Sequence, residues 1–191
     1  MIKAILLAAG QSKRLKSENK LAKIYKKKHL INHTLQTLHK SKVNKVIIVF
    51  GYQHKKIKKI IKKHKKNIFI FNKDYKKGMA SSIKTGLKKV SRTDKGFIVV
   101  QSDMPFIKKS DINKIYSSIK FKKYLVYVLK YKNKIGNPIG FDISLIKKFK
   151  NIKGEFGAKF MVKRLKNRTK FIRISTAKSF KDFDKASDFR I

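Results

Sequence analysis

The sequence predicts an α/β protein with a doubly wound, mostly parallel sheet in three Rossmann-like α/β/α layers. Short apolar runs alternate along the chain with helix-length segments in which apolar residues recur at helical spacing. The first apolar run leads directly into a small-residue turn that contains Gly10. Because such sheets bind their ligands at the carboxyl ends of the strands, we expect the functional site beside this turn.

Five strands and four helices are predicted in the first two thirds of the chain. The strands are the apolar, β-rich runs at residues 2–8, 46–50, 68–71, 97–100 and 124–129. The helices carry apolar residues at helical spacing at residues 30–38, 57–61, 83–90 and 112–119. The order βαβαβαβαβ is typical of a parallel sheet with helices on both faces.

The pattern changes after Lys134. Gly136, Asn137 and Pro138 open a short apolar run that ends at Phe141. The remaining chain predicts a helix, a glycine-bounded turn, a second helix and a strand, at residues 143–149, 154–157, 158–165 and 170–174. No linker rich in proline, glycine or serine separates this third from the rest, so we expect a single domain over residues 1–191.

The composition excludes several kinds of site. The chain has no cysteine, which removes disulfides, thiolate zinc sites and thiol nucleophiles. The apolar run at residues 4–9 is too short to direct export or to span a membrane, and no longer run follows. We therefore expect a soluble, cytoplasmic protein without a membrane partner.

The net charge of +42 comes from 52 basic residues against 10 acidic ones. Such an excess is typical of proteins that bind nucleic acid. Lysine is spread over every predicted helix and loop, however, and only 6 of the basic residues are arginine, which favours a compositional bias. A nucleic-acid partner is therefore not expected, although a basic nucleic-acid-binding protein stays open as the alternative from another class.

The few carboxylates are more informative, because several of them stand beside apolar strands or glycine turns. These are Asp103, Glu155, Asp182, Asp184 and Asp188. Carboxylates in such places are candidate ligands of the Mg²⁺ that accompanies a triphosphate. The five histidines follow no metal-ligand spacing and are interpreted as solvated surface residues.

The turn after the first strand can bind phosphate groups. Its small residues let backbone N–H groups approach a ligand closely, and Arg14 and Lys20 supply positive charge. The segment LLAAGQSKRLKSENKL resembles the signature loop LAAGxSxRMGxxK of the MobA-like nucleotidyltransferases, although Lys16 replaces its glycine. Within that family, the alanine at position 9 resembles the loop of the cytidylyltransferases that act on the molybdenum cofactor, whereas guanylyl-transferring members usually have a second glycine there.

This resemblance implies a role for each residue of the loop. Arg14 and Lys20 are the implied catalytic cations, which stabilise charge on the α and β phosphates. The implied nucleotide-binding residues are Leu7, Ala8, Ala9, Gly10, Gln11, Ser12 and Lys13.

Two further segments resemble the nucleotide side of the family. Residues 78–83, GMASSI, resemble its GMxxSL element, which implies that Gly78, Ser81 and Ser82 bind the nucleotide. A serine N-cap without any ligand is the alternative. Residues 102–105, SDMP, resemble its DMP motif. Ser102 is then a nucleotide ligand, and Asp103 is a catalytic residue and the best Mg²⁺ ligand, with an ordinary turn aspartate as the alternative.

The C-terminal third resembles the acceptor side of the family. Residues 136–138 resemble its GNP turn, and residues 154–159, GEFGAK, resemble its GDxGAR element. The implied acceptor-binding residues are Asn137, Pro138, Gly157, Ala158 and Lys159. The tail DFDKASDF resembles DIDTPEDL, which implies Asp184 or Asp182 as a second metal ligand. Departures at Glu155, Lys159, Lys185 and Ala186 affect the identity of the acceptor more than the type of reaction.

The resemblance as a whole implies a nucleotidyltransferase, with residues 1–130 binding the nucleotide and residues 131–191 binding the acceptor. It implies Mg²⁺-dependent transfer of CMP from CTP, or of another NTP's nucleotidyl group, to the phosphate of molybdopterin with release of pyrophosphate. A molybdoenzyme would then receive the product. A related transferase with a sugar-phosphate or alditol-phosphate acceptor is the alternative within this class.

Overall fold

The computed structural model describes residues 1–12, 19–155 and 157–190. Within these ranges the strands are β1 (Ile2–Ala8), β2 (Ile24–Tyr25), β3 (Lys28–His29), β4 (Lys45–Phe50), β5 (Asn67–Phe71), β6 (Gly96–Gln101), β7 (Val126–Tyr131), β8 (Lys134–Asp142) and β9 (Thr169–Arg173). The α-helices are α1 (Leu30–Lys40), α2 (His54–Lys59), α3 (Met79–Leu87), α4 (Lys109–Lys120) and α5 (Ala158–Arg164). Short 3₁₀ helices include Lys20–Ala22, Tyr75–Lys77 and Ile143–Asn151.

Seven of these strands form one sheet in the order β5-β4-β1-β6-β8-β7-β9. The pairs β1–β4, β1–β6, β4–β5 and β7–β9 are parallel, whereas β8 runs antiparallel to both of its neighbours. The strands β2 and β3 pair separately as a small antiparallel hairpin. The predicted fold class, a mostly parallel sheet in an α/β protein, is confirmed.

Both faces of the central strands are buried, because helices cover the sheet on each side. In β1, Ala4 and Leu6 pack in the same cluster as Leu35 of α1 and Ile115 of α4, while Ile5 packs in the opposite cluster with Ile83 of α3. This explains why the central strands are almost continuously apolar instead of alternating. None of the helices in the described part of the chain has the length and apolar character that a bilayer crossing requires.

The strand β8 differs from the sequence prediction. The segment that starts with Gly136-Asn137-Pro138 was expected to be a turn and a short run, but it lies within a nine-residue antiparallel strand. The β7–β8 register shifts next to Val128, opposite Asn137 and Pro138, whose peptide bond is cis. A proline is accommodated in a sheet interior only where the ladder is interrupted in this way. Gly140 is required nearby, since a Cβ there would collide with Ile115 of α4.

An internal ion pair fixes the start of β1. The Lys3 ammonium lies 2.8 Å from the Asp94 carboxylate, and these side chains are only 9% and 1% exposed. Asp94 also accepts a hydrogen bond from the Ser91 backbone at 2.8 Å. Burial would raise the pKa of Asp94, but its hydrogen bonds to Lys3 and Ser91 outweigh burial and lower it.

We expect Asp94→Asn to destabilise the protein by about 3 kcal/mol at neutral pH, because it leaves the Lys3 charge buried and unpaired. A lowered pKa means that the carboxylate stabilises the fold above its unfolded-state value of about 4, and that this contribution is lost as the pH falls through the folded value. The free energy of unfolding in urea, measured at neutral and acidic pH, should therefore differ between the two proteins only at neutral pH. If the difference in unfolding free energy between the wild type and Asp94→Asn were the same at both pH values, the Asp94 carboxylate would not stabilise the fold through its charge.

Candidate active site

A cleft of about 480 Å³ opens at the carboxyl ends of β1 and β6. It is bounded by the glycine turn after β1, the segment before and at the start of α3, the end of β6, and two segments of the C-terminal third. Its lining residues are Leu7, Ala9, Gly10, Gln11, Ser12, Lys20, Leu21, Tyr75, Lys76, Gly78, Met79, Ser82, Gln101, Ser102, Asp103, Glu155, Asp182 and Asp184. The expected ligand-binding edge of the sheet is thus a concave site that is lined by both polar and apolar groups.

The two ends of the loop after β1 are pinned by hydrogen bonds. Asn19 is fully buried, and its side chain donates to the Tyr52 carbonyl at 3.3 Å and accepts from the Leu21 backbone at 3.1 Å. The Lys20 backbone N–H donates to the Ser12 hydroxyl at 3.1 Å. A Cβ at Gly10 would meet nothing within 4 Å, so the space above this turn is open to a ligand.

Two residues of the predicted loop, the nucleotide-binding Lys13 and the catalytic Arg14, lie outside the described residues. Their roles therefore stay predictions from the sequence. Among the other residues of the loop, Ala8 is 1% exposed and packs into the core instead of lining the cleft. The other predicted residues of the loop line the cleft together with Lys20; they are Leu7, Ala9, Gly10, Gln11 and Ser12.

The Lys20 ammonium lies between two carboxylates. Its Nζ is 2.5 Å from Asp103 Oδ2 and 2.7 Å from Asp184 Oδ1. The Lys20 and Asp103 side chains are 16% and 13% exposed, whereas that of Asp184 is 36% exposed. Burial would lower the pKa of Lys20, but the attraction of the two carboxylates outweighs it and raises that pKa. Lys20 is therefore charged at neutral pH.

Asp103 is the most constrained acid of the site. Burial raises its pKa, against the attraction of Lys20, and the nearby charge of Asp182 raises it further. Its second oxygen, Oδ1, is buried and has no hydrogen-bond partner among the described residues. A buried carboxylate oxygen without a partner is costly, and a bound cation would satisfy it.

The C-terminal tail is held against the end of β6 by Phe183. This residue is 1% exposed, its ring packs edge-on against Tyr25 at 4.8 Å, and its backbone N–H donates to the Asp103 carbonyl at 3.0 Å. Asp182 and Asp184 flank it and both line the cleft. The contact with Lys20 distinguishes the two aspartates, because it is Asp184 whose carboxylate lies at 2.7 Å from the ammonium.

These carboxylates fit a magnesium ion. Asp103 and Asp184 already share one cation, the Lys20 ammonium, and Asp103 Oδ1 is available for another. No cluster of three or more potential metal-ligating side chains occurs within the described ranges. A pair of carboxylates is what Mg²⁺ uses when water and substrate phosphates complete its coordination.

The turn before α3 packs against Gly154 and Glu155 of the C-terminal third. Gly78 has φ +91°, and a Cβ there would come within 2.5 Å of the Gly154 carbonyl oxygen. The Gly154 carbonyl accepts from the Ala80 backbone at 3.0 Å, and the Glu155 carboxylate accepts from the Met79 backbone at 3.3 Å. Glu155 therefore caps the helix from within the cleft, which the sequence did not indicate.

The predicted acceptor residues lie elsewhere. Asn137 and Pro138 belong to β8, Gly157 packs against Met79, and Ala158 and Lys159 begin α5. Within the described ranges, none of these five residues lines the cleft. Ser82 and Ser102 do line it, whereas Ser81 does not. Glu155, a candidate metal ligand from the sequence, also lines the cleft. Sequence reasoning assigned no role to five further lining residues, although Met79 lies within a recognised motif and Gln101 adjoins one: Leu21, Tyr75, Lys76, Met79 and Gln101.

A mostly parallel sheet with a glycine turn, a lysine and two carboxylates at one cleft defines a nucleotide-binding domain of the nucleotidyltransferase class. The chain belongs to the MobA-like NTP transferase domain family, which matches residues 4–169. Among curated proteins it is similar to the bifunctional protein GlmU of Clostridioides difficile, with 28% identity over 142 residues. That match covers 73% of this chain but only 29% of the relative, so the chain spans about three tenths of the curated relative's length.

Solved structures share the whole fold at low sequence identity. Rv0371c of Mycobacterium tuberculosis superposes with a TM-score of 0.86 at 18% identity, covering 98% of this chain and 95% of that one. The 4-diphosphocytidyl-2C-methyl-D-erythritol synthase of Anaerococcus prevotii has a TM-score of 0.77 at 16% identity, with 99% and 92% covered. Molybdopterin-guanine dinucleotide biosynthesis protein A of Archaeoglobus fulgidus has a TM-score of 0.72 at 17% identity, with 98% and 94% covered. A further structure of Rv0371c contains manganese.

We expect Asp184→Asn to lower kcat/KM for nucleotidyl transfer about 100-fold, because it removes one of the two carboxylates that would bind the divalent metal ion. The matched change Asp182→Asn removes an exposed carboxylate two residues away and should cost less than about threefold. Steady-state rates of pyrophosphate release compare the two variants directly. Equal losses in the two variants, or a larger loss for Asp182→Asn, would show that Asp184 is not the tail aspartate that binds the metal.

Proposed function

We propose that this domain transfers CMP from CTP to the phosphate of molybdopterin and releases pyrophosphate. The observation that carries the proposal is the Lys20 ammonium held between Asp103 and Asp184 at the mouth of an open glycine turn. A cation next to paired carboxylates and an open small-residue turn suits a triphosphate with its divalent metal. In this arrangement residues 1–130 form the nucleotide side and residues 131–191 contribute the acceptor side.

The reaction is an in-line displacement at the α-phosphorus of CTP. An oxygen of the acceptor phosphate forms the new P–O bond, the bond from the α-phosphorus to the bridging oxygen breaks, and pyrophosphate leaves with that oxygen. Because the attacking phosphate is already anionic, the residues of the site need no general base. Catalysis then depends on alignment and on neutralising charge in a partly buried cleft.

Each group at the cleft has a distinct task. Lys20 moves its ammonium from the carboxylates to the α and β phosphates when nucleotide enters, and Arg14 assists it. Asp103 and Asp184 hold Mg²⁺, which supplies charge neutralisation at the phosphate oxygens when bound. The buried, unpartnered Oδ1 of Asp103 and the manganese in a structure of Rv0371c support a divalent metal here.

The choice of CTP and molybdopterin is supported by two resemblances. The Ala9-Gly10 pair is similar to the loop of cytidylyltransferases that act on the molybdenum cofactor. The fold shared with molybdopterin-guanine dinucleotide biosynthesis protein A supports a pterin phosphate as the acceptor. A molybdoenzyme is then the protein that receives the product, and the reaction takes place in the cytoplasm.

The test is pyrophosphate release by the purified protein with Mg²⁺, each of the four NTPs and molybdenum-loaded molybdopterin. We expect release with CTP that requires the acceptor. Release with another base would correct the nucleotide, and release only with other phosphorylated acceptors would correct the acceptor. No release with any pair, together with nucleic-acid binding that weakens steeply with salt, would favour a nucleic-acid-binding protein instead.

A sugar-phosphate or alditol-phosphate acceptor is the second candidate. The observation that favours it is the fold that 99% of the chain shares with the 4-diphosphocytidyl-2C-methyl-D-erythritol synthase of Anaerococcus prevotii. In the element that resembles GDxGAR, Glu155 and Lys159 stand where the family has Asp and Arg. Because lysine cannot bind a phosphate in the bidentate way that arginine does, this difference also favours a different phosphate ester as the acceptor. Adding alditol and sugar phosphates to the same pyrophosphate assay distinguishes the two candidates.

A further inference from the structure

A buried asparagine, Asn72, joins the end of β5 to the first turn of α3. It is 2% exposed and its backbone N–H donates to the Phe50 carbonyl at 2.8 Å. Its side chain forms four hydrogen bonds. The Nδ2 group faces the hydroxyls of Ser81 at 2.8 Å and Ser82 at 3.1 Å, and Oδ1 faces the Asp74 backbone N–H at 3.0 Å and the Thr85 hydroxyl at 3.2 Å.

The orientation of the Asn72 amide is determined by the Asp74 backbone. A backbone N–H can only donate, so the side-chain atom that faces it must be the carbonyl oxygen. The amide nitrogen consequently faces the two serines. Both of its protons are donated, one to Ser81 and one to Ser82, and each serine oxygen acts as the acceptor.

The two serines then differ in where their own protons can go. The Ser81 hydroxyl has acceptors within the protein, the Asp74 and Gly78 carbonyls, each at 2.8 Å. The Ser82 hydroxyl has no acceptor for its proton among the described residues, although Ser82 is only 5% exposed and lines the cleft. The Ser82 proton is therefore available to a molecule in the cleft.

We propose that Asn72 is a positioning residue that fixes the Ser82 hydroxyl as a hydrogen-bond donor to an acceptor atom of the bound nucleoside, on its base or its ribose. The inference rests on the proposed function, since it assumes that a nucleotide occupies this cleft. Ser102 also lines the cleft, but its hydroxyl donates its proton to the Leu7 carbonyl at 2.7 Å, so its oxygen can only accept from a ligand. The cleft thus presents a fixed donor at Ser82 and an accepting oxygen at Ser102, which restricts the orientation of the nucleoside.

The test is CTP binding in the presence of Mg²⁺ and without acceptor, measured by calorimetry. We expect Ser82→Ala to weaken binding about fivefold, as for one neutral hydrogen bond to a ligand. Ser81→Ala is the matched control, since it also removes a hydroxyl bonded to Asn72 but none that lines the cleft, and it should change the affinity less than about twofold. Thermal unfolding of each variant shows that the fold is retained.

The role of Asn72 is tested by a double-mutant cycle with Asn72→Asp. The aspartate has the same shape but accepts the Ser82 proton instead of donating to the hydroxyl, so Ser82 turns away from the ligand. Adding Ser82→Ala should then cause no further loss, whatever the new charge does to triphosphate binding. Asn72→Ala, which also lacks the donor, replaces Asn72→Asp in the cycle if that variant does not fold. If the double mutant bound CTP fivefold more weakly than Asn72→Asp alone, the proposed role of Asn72 would be wrong.

Two comparisons complete the test. If Ser82→Ala binds CTP as tightly as the wild type, the inference is wrong while the proposed function stands. If the wild type binds no NTP at all, the proposed function itself fails. Repeating the titrations with 2′,3′-dideoxy-CTP narrows down the acceptor atom, because a loss that disappears places it on a ribose hydroxyl and a loss that persists places it on the base or the ring oxygen.

Discussion

Asp103→Asn will lower the rate of nucleotidyl transfer about 1,000-fold while leaving the fold intact. Asparagine has the shape of aspartate, so the packing at the end of β6 is preserved. What is lost is the negative charge that faces Lys20 at 2.5 Å and the carboxylate oxygen that is buried without a partner. Lys20 keeps Asp184 as a partner at 2.7 Å, so its ammonium is not left unpaired, and loss of the buried Asp103 charge should leave the variant at least as stable as the wild type.

The measurement combines turnover with thermal unfolding in the absence of nucleotide. A large loss of rate with an unchanged or higher melting temperature supports a functional charge at Asp103. A rate close to that of the wild type would show that Asp103 is an ordinary turn aspartate before Pro105. A lower melting temperature with loss of rate would point to a structural role in holding Phe183 and the tail.

Lys20→Met will have opposite effects on turnover and on metal binding. Turnover should fall about 100-fold, since the ammonium no longer neutralises charge on the phosphates. The affinity for Mn²⁺ without nucleotide should rise about tenfold, because in the wild type a metal must displace or lie beside the Lys20 cation between Asp103 and Asp184. Methionine keeps much of the length and apolar character of the lysine stem.

Metal binding is measured by titration with Mn²⁺ and electron paramagnetic resonance of the free ion. Lys76→Met is the matched control, because Lys76 lines the same cleft but is exposed to solvent. It should change the Mn²⁺ affinity less than about twofold. If Lys20→Met bound Mn²⁺ more weakly than the wild type, the two carboxylates would not form the metal site.

The central sheet could be predicted because its signal is local. Strands such as β1 and β6 are buried on both faces, so their apolar runs are nearly continuous and readily recognised. β8 could not be predicted, since its glycines and proline favour a turn and its pairing with β6 depends on residues far away in the chain. The histidines also differ from expectation, because His39 stacks on His64 at 3.8 Å and bonds to Asn67, and both are half-buried.

The site could be predicted in part for the same reason. Gly10 and Asp103 stand just after the apolar strands β1 and β6, so the topology of the sheet brings them together, and Lys20 could be found from the loop motif that follows β1. The choice between Asp182 and Asp184 depends on how Phe183 is buried, which no local pattern reveals. The contact of Glu155 with the first turn of α3 joins residues that are far apart in sequence, so it could be found only from the structure.

The most direct test of nucleotidyl transfer follows the α-phosphorus itself. The protein is incubated with Mg²⁺, molybdenum-loaded molybdopterin and CTP that carries ³²P at the α position, and the products are separated. Transfer predicts that the label appears in a pterin dinucleotide in an amount equal to the pyrophosphate released. Label that stays in CTP, or that appears only as free CMP, would contradict the proposed transfer to this acceptor.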